Sequence, residues 1–166
     1  MPRLRQFNSS EIFLDANILL YDFTAHPQFG ASCHKLIEKP ELGLLRSFTS
    51  HWVITETVHK LMLLETCDRF HLSMPNAVNY VKKHPRSIQS LSQYRQALDL
   101  LSRLPNLIIL EVNHPIFYQS HQLIGKYQLL SSDAIHVATC LAYGIKHIAT
   151  NDKDFKRAKE ITVWTP

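Results

Sequence analysis

Apolar residues along this chain fall into two kinds of stretch. Short continuous runs bounded by turn-forming residues alternate with longer segments in which apolar positions recur every third or fourth residue. EIFLD (11–15), LLRSFTS (44–50), NLIILEV (106–112), IKHIAT (145–150) and ITVWTP (161–166) belong to the first kind and read as strands. NLIILEV is the most apolar of them and predicts the most clearly buried strand. The second kind predicts helices. ILLYDF opens one after Ala16-Asn17, and FGASCHKLIEK resumes helical spacing after Pro27. HWVITETVHKLMLLE carries Val53, Val58, Leu61 and Leu64 at helical intervals, and its neighbours Trp52 and Ile54 extend the expectation of a largely buried helix. PIFYQSHQLIGKY starts with a proline suited to a first helical turn, and Ser131-Ser132-Asp133 supplies a start for AIHVATCLAYG, with Gly144 as its stop.

Between Cys67 and Pro105 no strand is evident. Met74-Pro75 begins one helix that Pro85 ends, and SIQSLSQYRQALDLLSRL predicts a second, continuous amphipathic helix. Pro40 and Gly43 mark a turn. Strands alternating with helices predict an α/β fold, a three-layer α/β/α arrangement around a mainly parallel twisted sheet. With no internal repeat or linker, the chain reads as a single domain over 1–166, with 67–105 as a helical hairpin inserted within it.

The 166 residues suit one domain with a substantial core, and 45% apolar with 19% charged residues argues against disorder. Eighteen Lys and Arg against fourteen Asp and Glu give a formal charge of +4, compatible with a polyanionic partner. Cys33, Cys67 and Cys140 form no CxxC pair and read as reduced packing thiols, and the ten His form neither HExxH nor a zinc spacing. Polar residues follow the basic start where a signal peptide needs an apolar stretch, and no apolar run has the length of a membrane span. The expectation is a cytoplasmic protein with no membrane partner.

Four acids change this picture. Asp15 closes the first strand run, Glu56 sits among apolar helical neighbours, Asp133 opens a helix, and Asp152 follows the IKHIAT run. In an open parallel sheet, ligands gather outside the carboxyl ends of the strands, where these residues could converge. Carboxylates brought together need compensation, and a hard divalent cation supplies it. Each residue also has a local reading. Asp15 and Asp133 suit helix N-termini, Glu56 could be a solvated helical residue, and Asp152 and Asp154 suit a turn. Asn17 could bond Asp15 or cap a helix. Of the basic residues, Lys153, Lys156 and Arg157 adjoin Asp152 and are candidates for phosphate contacts. Trp52 and Tyr127 could stack bases, but core packing is the expected role of both.

FLDANILLY, TSHWVITETVHKL, LLSSDAIHVATCLAYGIKHIATNDKDF and ITVWTP, in this order, resemble the PIN-domain ribonucleases, including the virulence-associated protein C-like toxins of type II toxin–antitoxin systems. The resemblance spans Glu11 to Pro166. It implies an endoribonuclease in which Asp15, Glu56, Asp133 and Asp152 bind one or two Mg²⁺ or Mn²⁺ ions and a metal-activated water cleaves RNA. Asn17, Thr150 and Asp154 would support the acids, and Phe155 would pack beneath. A small antitoxin partner and a homodimer are further implications. Two competing readings are a non-catalytic RNA-binding or protein-interaction module on the same fold, and a phosphatase with Asp15 as nucleophile. The phosphatase pattern needs a second Asp where this chain has Asn17.

Overall fold

The structure is a computed structural model describing residues 1–166, and it divides into two compact units. The first comprises Met1–Ile54 with Leu104–Pro166, and the second Thr55–Arg103.

The first unit contains a five-stranded, all-parallel sheet with helices on both sides. Its strands are β1 (Glu11–Leu14), β2 (Arg46–Ser50), β3 (Leu107–Leu110), β4 (His147–Ala149) and β5 (Thr162–Trp164), in spatial order β3-β2-β1-β4-β5. Helices α1 (Ala16–Phe23) and α2 (Gly30–Glu41) connect β1 to β2, and α3 (His51–Phe70) leaves the end of β2. Helices α6 (His114–Tyr127) and α7 (Ser131–Ala142) carry the chain from β3 back across to β4. Right-handed crossovers put α1–α2 and α6–α7 on opposite faces. Ile12, Phe13, Leu14, Ile148 and Ala149 are completely buried, as expected of strands covered on both faces.

Two expectations need correction here. NLIILEV is not the most buried strand: β3 pairs only with β2, and its Ile108 and Ile109 are 42% and 37% exposed. An apolar run reports strand propensity, whereas depth depends on having a neighbour on each side. Pro40 lies within the last turn of α2 rather than in the turn, which Gly43 makes with a φ of 70°. Helix α7 begins at Ser131 as expected, with Leu130 as its cap residue and Asp133 at the third helical position.

The second unit holds most of α3, then α4 (Met74–Lys83), a 3₁₀ segment over Pro85–Ser90 and α5 (Gln93–Arg103). The continuous helix expected from Ser87 to Leu104 is therefore broken before Gln93. Glu65 explains the break. Its carboxylate, only 5% exposed, accepts the backbone N–H groups of Ser92 (2.9 Å) and Gln93 (2.9 Å) and is paired with Arg69 at 2.9 Å. Those N–H groups open α5 and have no partner within it, so a carboxylate there satisfies both and suits the positive helix end. Burial alone would raise the Glu65 pKa; the Ser92 and Gln93 hydrogen bonds and the Arg69 charge outweigh it and hold the pKa below its ordinary 4.5.

A folded-state pKa below the unfolded value means Glu65 stabilises the fold above about pH 4.5 and loses that contribution as pH falls further. Glu65→Gln should lower unfolding free energy near pH 7 by about 1–3 kcal/mol, measured by urea denaturation. The difference from wild type should shrink as pH is lowered through 4.5.

Candidate active site at the strand carboxyl ends

The strand order reverses between β1 and β4: the chain leaves β1 toward β2 on one side, and β4 lies on the other. Connections diverging from neighbouring strand ends open a crevice there. Asp15 follows β1 and Thr150 follows β4, so the two enter this crevice side by side.

Asp15 is 5% exposed, and burying a carboxylate is costly unless hydrogen bonds replace its water. Its Oδ1 accepts the Ala16 N–H at 2.7 Å, making Asp15 the N-cap of α1. Its Oδ2 accepts from the Thr150 hydroxyl at 2.6 Å and from the Asn17 amide. The same Asn17 amide reaches Thr150 Oγ1 at 2.9 Å, and Asn17 Oδ1 accepts the Asn151 N–H at 3.0 Å. The helix-capping role and the place in the crevice therefore coexist in Asp15. Asn17 is committed as a hydrogen-bond bridge and, as an amide, supplies none of the acid chemistry that the phosphatase pattern requires.

Thr150 carries the connection onward. Its Oγ1 accepts the Asp152 N–H at 3.0 Å, which ties the start of the Asp152 loop to Asp15. Asp152 Oδ1 in turn accepts the Asp154 N–H at 2.8 Å, so Asp152 also organises its own turn. Beneath this loop Phe155 is 1% exposed. Asp154 pairs outward with Arg157 at 2.8 Å.

Helix α7 reaches Asp15 through His136, whose Nε2 lies 3.9 Å from Asp15 Oδ1. The His136 ring is buried, tilted against Phe13 at 6.1 Å and stacked on Phe155 at 6.3 Å. Asp133 stands three residues earlier on the same helix, a spacing that shares one side of it, and it is half-buried.

Glu56 falls in the second unit, on the continuous helix α3, and its carboxylate is 2.6 Å from Lys60 Nζ one turn on. Across the chain, no group of three or more His, Cys, Asp or Glu side chains is gathered closely enough to hold a metal ion. What the fold brings together is Asp15 and the Asp152 loop through Thr150, with α7 alongside.

An open depression of about 440 Å³ adjoins this network, lined by Asn17, Tyr21, Asn151, Asp152 and Lys153. Tyr21 and Asn151 are additions to the sequence reading, joined by an Asn151 Nδ2 to Tyr21 hydroxyl bond of 3.2 Å. Tyr21 lies four residues after Asn17 on α1, and that spacing was a visible signal. Of the three nearby cations, only Lys153 lines the depression. Lys156 lies beside Met1, Pro2 and Thr162, and the Arg157 guanidinium is held by Gln128 O at 2.6 Å and by Asp154.

Cys33 and Cys140 are buried, and burial pushes the Cys33 thiol up to about 12 and the Cys140 thiol upward as well. Neither is a nucleophile at neutral pH. No helix is long and apolar enough to cross a membrane.

Comparison with known proteins fits this arrangement. Ribonuclease VapC2 of Methanocaldococcus jannaschii is 34% identical over 158 residues, which cover 95% of this chain and 94% of that protein. Among solved structures, VapBC2 from Rickettsia felis, bound to a DNA fragment from its promoter, superposes with a TM-score of 0.59 at 16% identity, over 93% of this chain and 98% of that one. VapC20 from Mycobacterium tuberculosis, a toxin that cleaves the sarcin–ricin loop, gives a TM-score of 0.59 at 16% identity, over 89% and 94%. At these identities the structural likeness concerns the fold. The family model for the PIN domain matches residues 12–161, nearly the whole sheet-and-helix arrangement described above, and the chain belongs to the PIN domain family.

Proposed function

We propose that this chain is a divalent-metal-dependent endoribonuclease, the toxin of a cytoplasmic toxin–antitoxin pair. The observation that carries the reading is the buried Asp15 at the sheet's switch point, joined through Thr150 to the Asp152 loop. Family membership and 34% identity to a protein named Ribonuclease VapC2 give the chemistry its direction.

The candidate ligands are all carboxylates: Asp15, Glu56, Asp133 and Asp152. Oxygen-only donor sets suit hard cations such as Mg²⁺ or Mn²⁺ and disfavour zinc, so the residues fit such an ion by donor chemistry. When bound, it supplies Lewis-acid polarisation of the phosphoryl group and a water acidic enough to deprotonate near neutral pH. The chain's own contribution is positional. Thr150 and Asn17 fix the orientation of the Asp15 carboxylate by donating to the same oxygen. The Asp152 N–H bond to Thr150 keeps the second acid's loop in register with the first. Asp154 supports that loop, accepting no role beyond its turn and its pair with Arg157. Lys153, at the edge of the depression, is suited to hold a phosphate of the RNA. The antitoxin partner is proposed from the solved relative that is a VapBC pair, and a homodimer is proposed with it.

Asp15→Asn keeps the shape of the side chain and removes its charge. It should abolish Mg²⁺- or Mn²⁺-supported cleavage of a fluorescent RNA, and chelator should do the same to wild type; full activity in either arm would remove this mechanism. Thr150→Val, which deletes the hydroxyl bridging Asp15 and Asp152, should cost about 10–100-fold in activity or metal affinity. Lys153→Ala should flatten the dependence of log affinity on log salt by about 0.7. Arg157→Ala, whose guanidinium is tied to Gln128 and Asp154, should leave that slope unchanged.

A further inference from the structure

Trp52 is not the core residue that its apolar neighbours suggested: it is 46% exposed, whereas the adjacent Val53 is completely buried. Tyr127, the other aromatic with two readings, is buried, with its hydroxyl donating to Glu160. The difference comes from how α3 begins. Ser50, the last residue of β2, accepts the Val53 N–H on its side-chain oxygen at 3.2 Å, which is the bond of a helix N-cap to the third helical position. That bond fixes the rotation of the first turn. With Val53 turned inward, Trp52 is left facing solvent.

Its location is set by sheet register. β1 and β2 run parallel with Phe13 opposite Phe48, and the Thr49 side-chain Oγ1 donates to Leu14 O at 3.2 Å, which ties the two strand ends side by side. Extending the Phe13–Phe48 register by two residues sets Ser50 level with Asp15. Neighbouring strands are about 4.8 Å apart and helical residues rise about 1.5 Å each, so the Trp52 backbone lies within roughly 10 Å of the Asp15 backbone. A large, flat, solvent-facing ring thus stands on the same strand-end rim as the proposed cleavage site.

We propose that Trp52 is a nucleobase platform: the indole stacks on an unpaired base of the RNA strand adjoining the scissile phosphate and sets where the strand lies relative to Asp15. The proposal rests on the ribonuclease reading. An indole face stacks on any base, since each presents a π surface, and it provides affinity without base-edge hydrogen bonds. The resulting preference is for unstacked single strand over duplex, because duplex bases are not available for stacking. Trp52 is a positioning residue here. The other tryptophan, Trp164, is committed internally, with its Nε1 donating to His147 Nδ1 at 3.1 Å and its ring edge-on to Phe7 at 5.0 Å.

The test is a cycle between protein and substrate. Wild type, Trp52→Phe and Trp52→Ala are assayed on a panel of fluorescein-labelled single-stranded RNAs of mixed sequence, and then on versions of a cleaved RNA with an abasic site at each position in turn. Trp52→Ala should raise KM about fivefold to a hundredfold with a smaller change in kcat, and Trp52→Phe should recover most of the loss. One abasic position near the cut should slow wild type yet have little further effect on Trp52→Ala, as expected when both changes remove the same contact. Unchanged circular dichroism in the variants would accompany this result. If Trp52→Ala cleaves as wild type does, or if its loss multiplies independently with every abasic site, the platform role is overturned while the nuclease reading stands. If wild type leaves every RNA in the panel intact, the nuclease reading falls and the platform falls with it.

Discussion

A carboxylate that is almost completely removed from solvent is the constraint on which the arrangement of this protein depends. Asp15 sits where the central strand ends, and three donors from two parts of the chain converge on it: the Ala16 N–H, the Asn17 amide and the Thr150 hydroxyl. Leaving any of these unmade would cost more than the bond itself contributes, because a buried charge without compensation is strongly unfavourable. The hydrogen bonds therefore do more than satisfy Asp15. They force the ends of β1 and β4 into one register and bring the Asp152 loop along through Thr150. A single buried carboxyl group organises the switch point of the sheet, and the same group is the chemical centre of the proposed site.

The second helical unit uses a carboxylate in a related way for a different end. Glu65 is buried as deeply as Asp15, but its partners are the first N–H groups of α5 and the guanidinium of Arg69. It closes a helix start, and no acid or candidate ligand lies among those partners. Burial of an acid in this protein is thus not by itself a sign of chemistry. The partners decide: donors drawn from two strand ends at a switch point in one case, a helix terminus in the other.

The family match extends over the segments in which the sequence itself was most informative. Runs such as FLDANILLY and the stretch from Ser131 to Phe155 combine strand, helix start and acid in a fixed order, and residues 12–161 carry the PIN family match. The strands ending in Asp15 and Thr150, and the helix beginning near Asp133, were legible because strand runs and helix-starting residues are local signals. The buried Phe155 was an expectation of the family resemblance rather than of the residues alone.

What the sequence alone determined was the alternation of strands and helices, the parallel sheet that follows from it, and the identity of the acids at strand ends and helix starts. Local propensity and periodicity set these, and both act over a few residues. Tertiary structure alone decided the rest. It made apolar β3 an edge strand, broke the helix before Gln93 by placing Glu65 against it, and committed Arg157 to Gln128. It also left Trp52 in solvent and brought Tyr21 to Asn151. Apart from Trp52, whose facing follows from the local Ser50 cap, each outcome depends on a partner far away in the chain, and periodicity carries no information about which distant group will arrive.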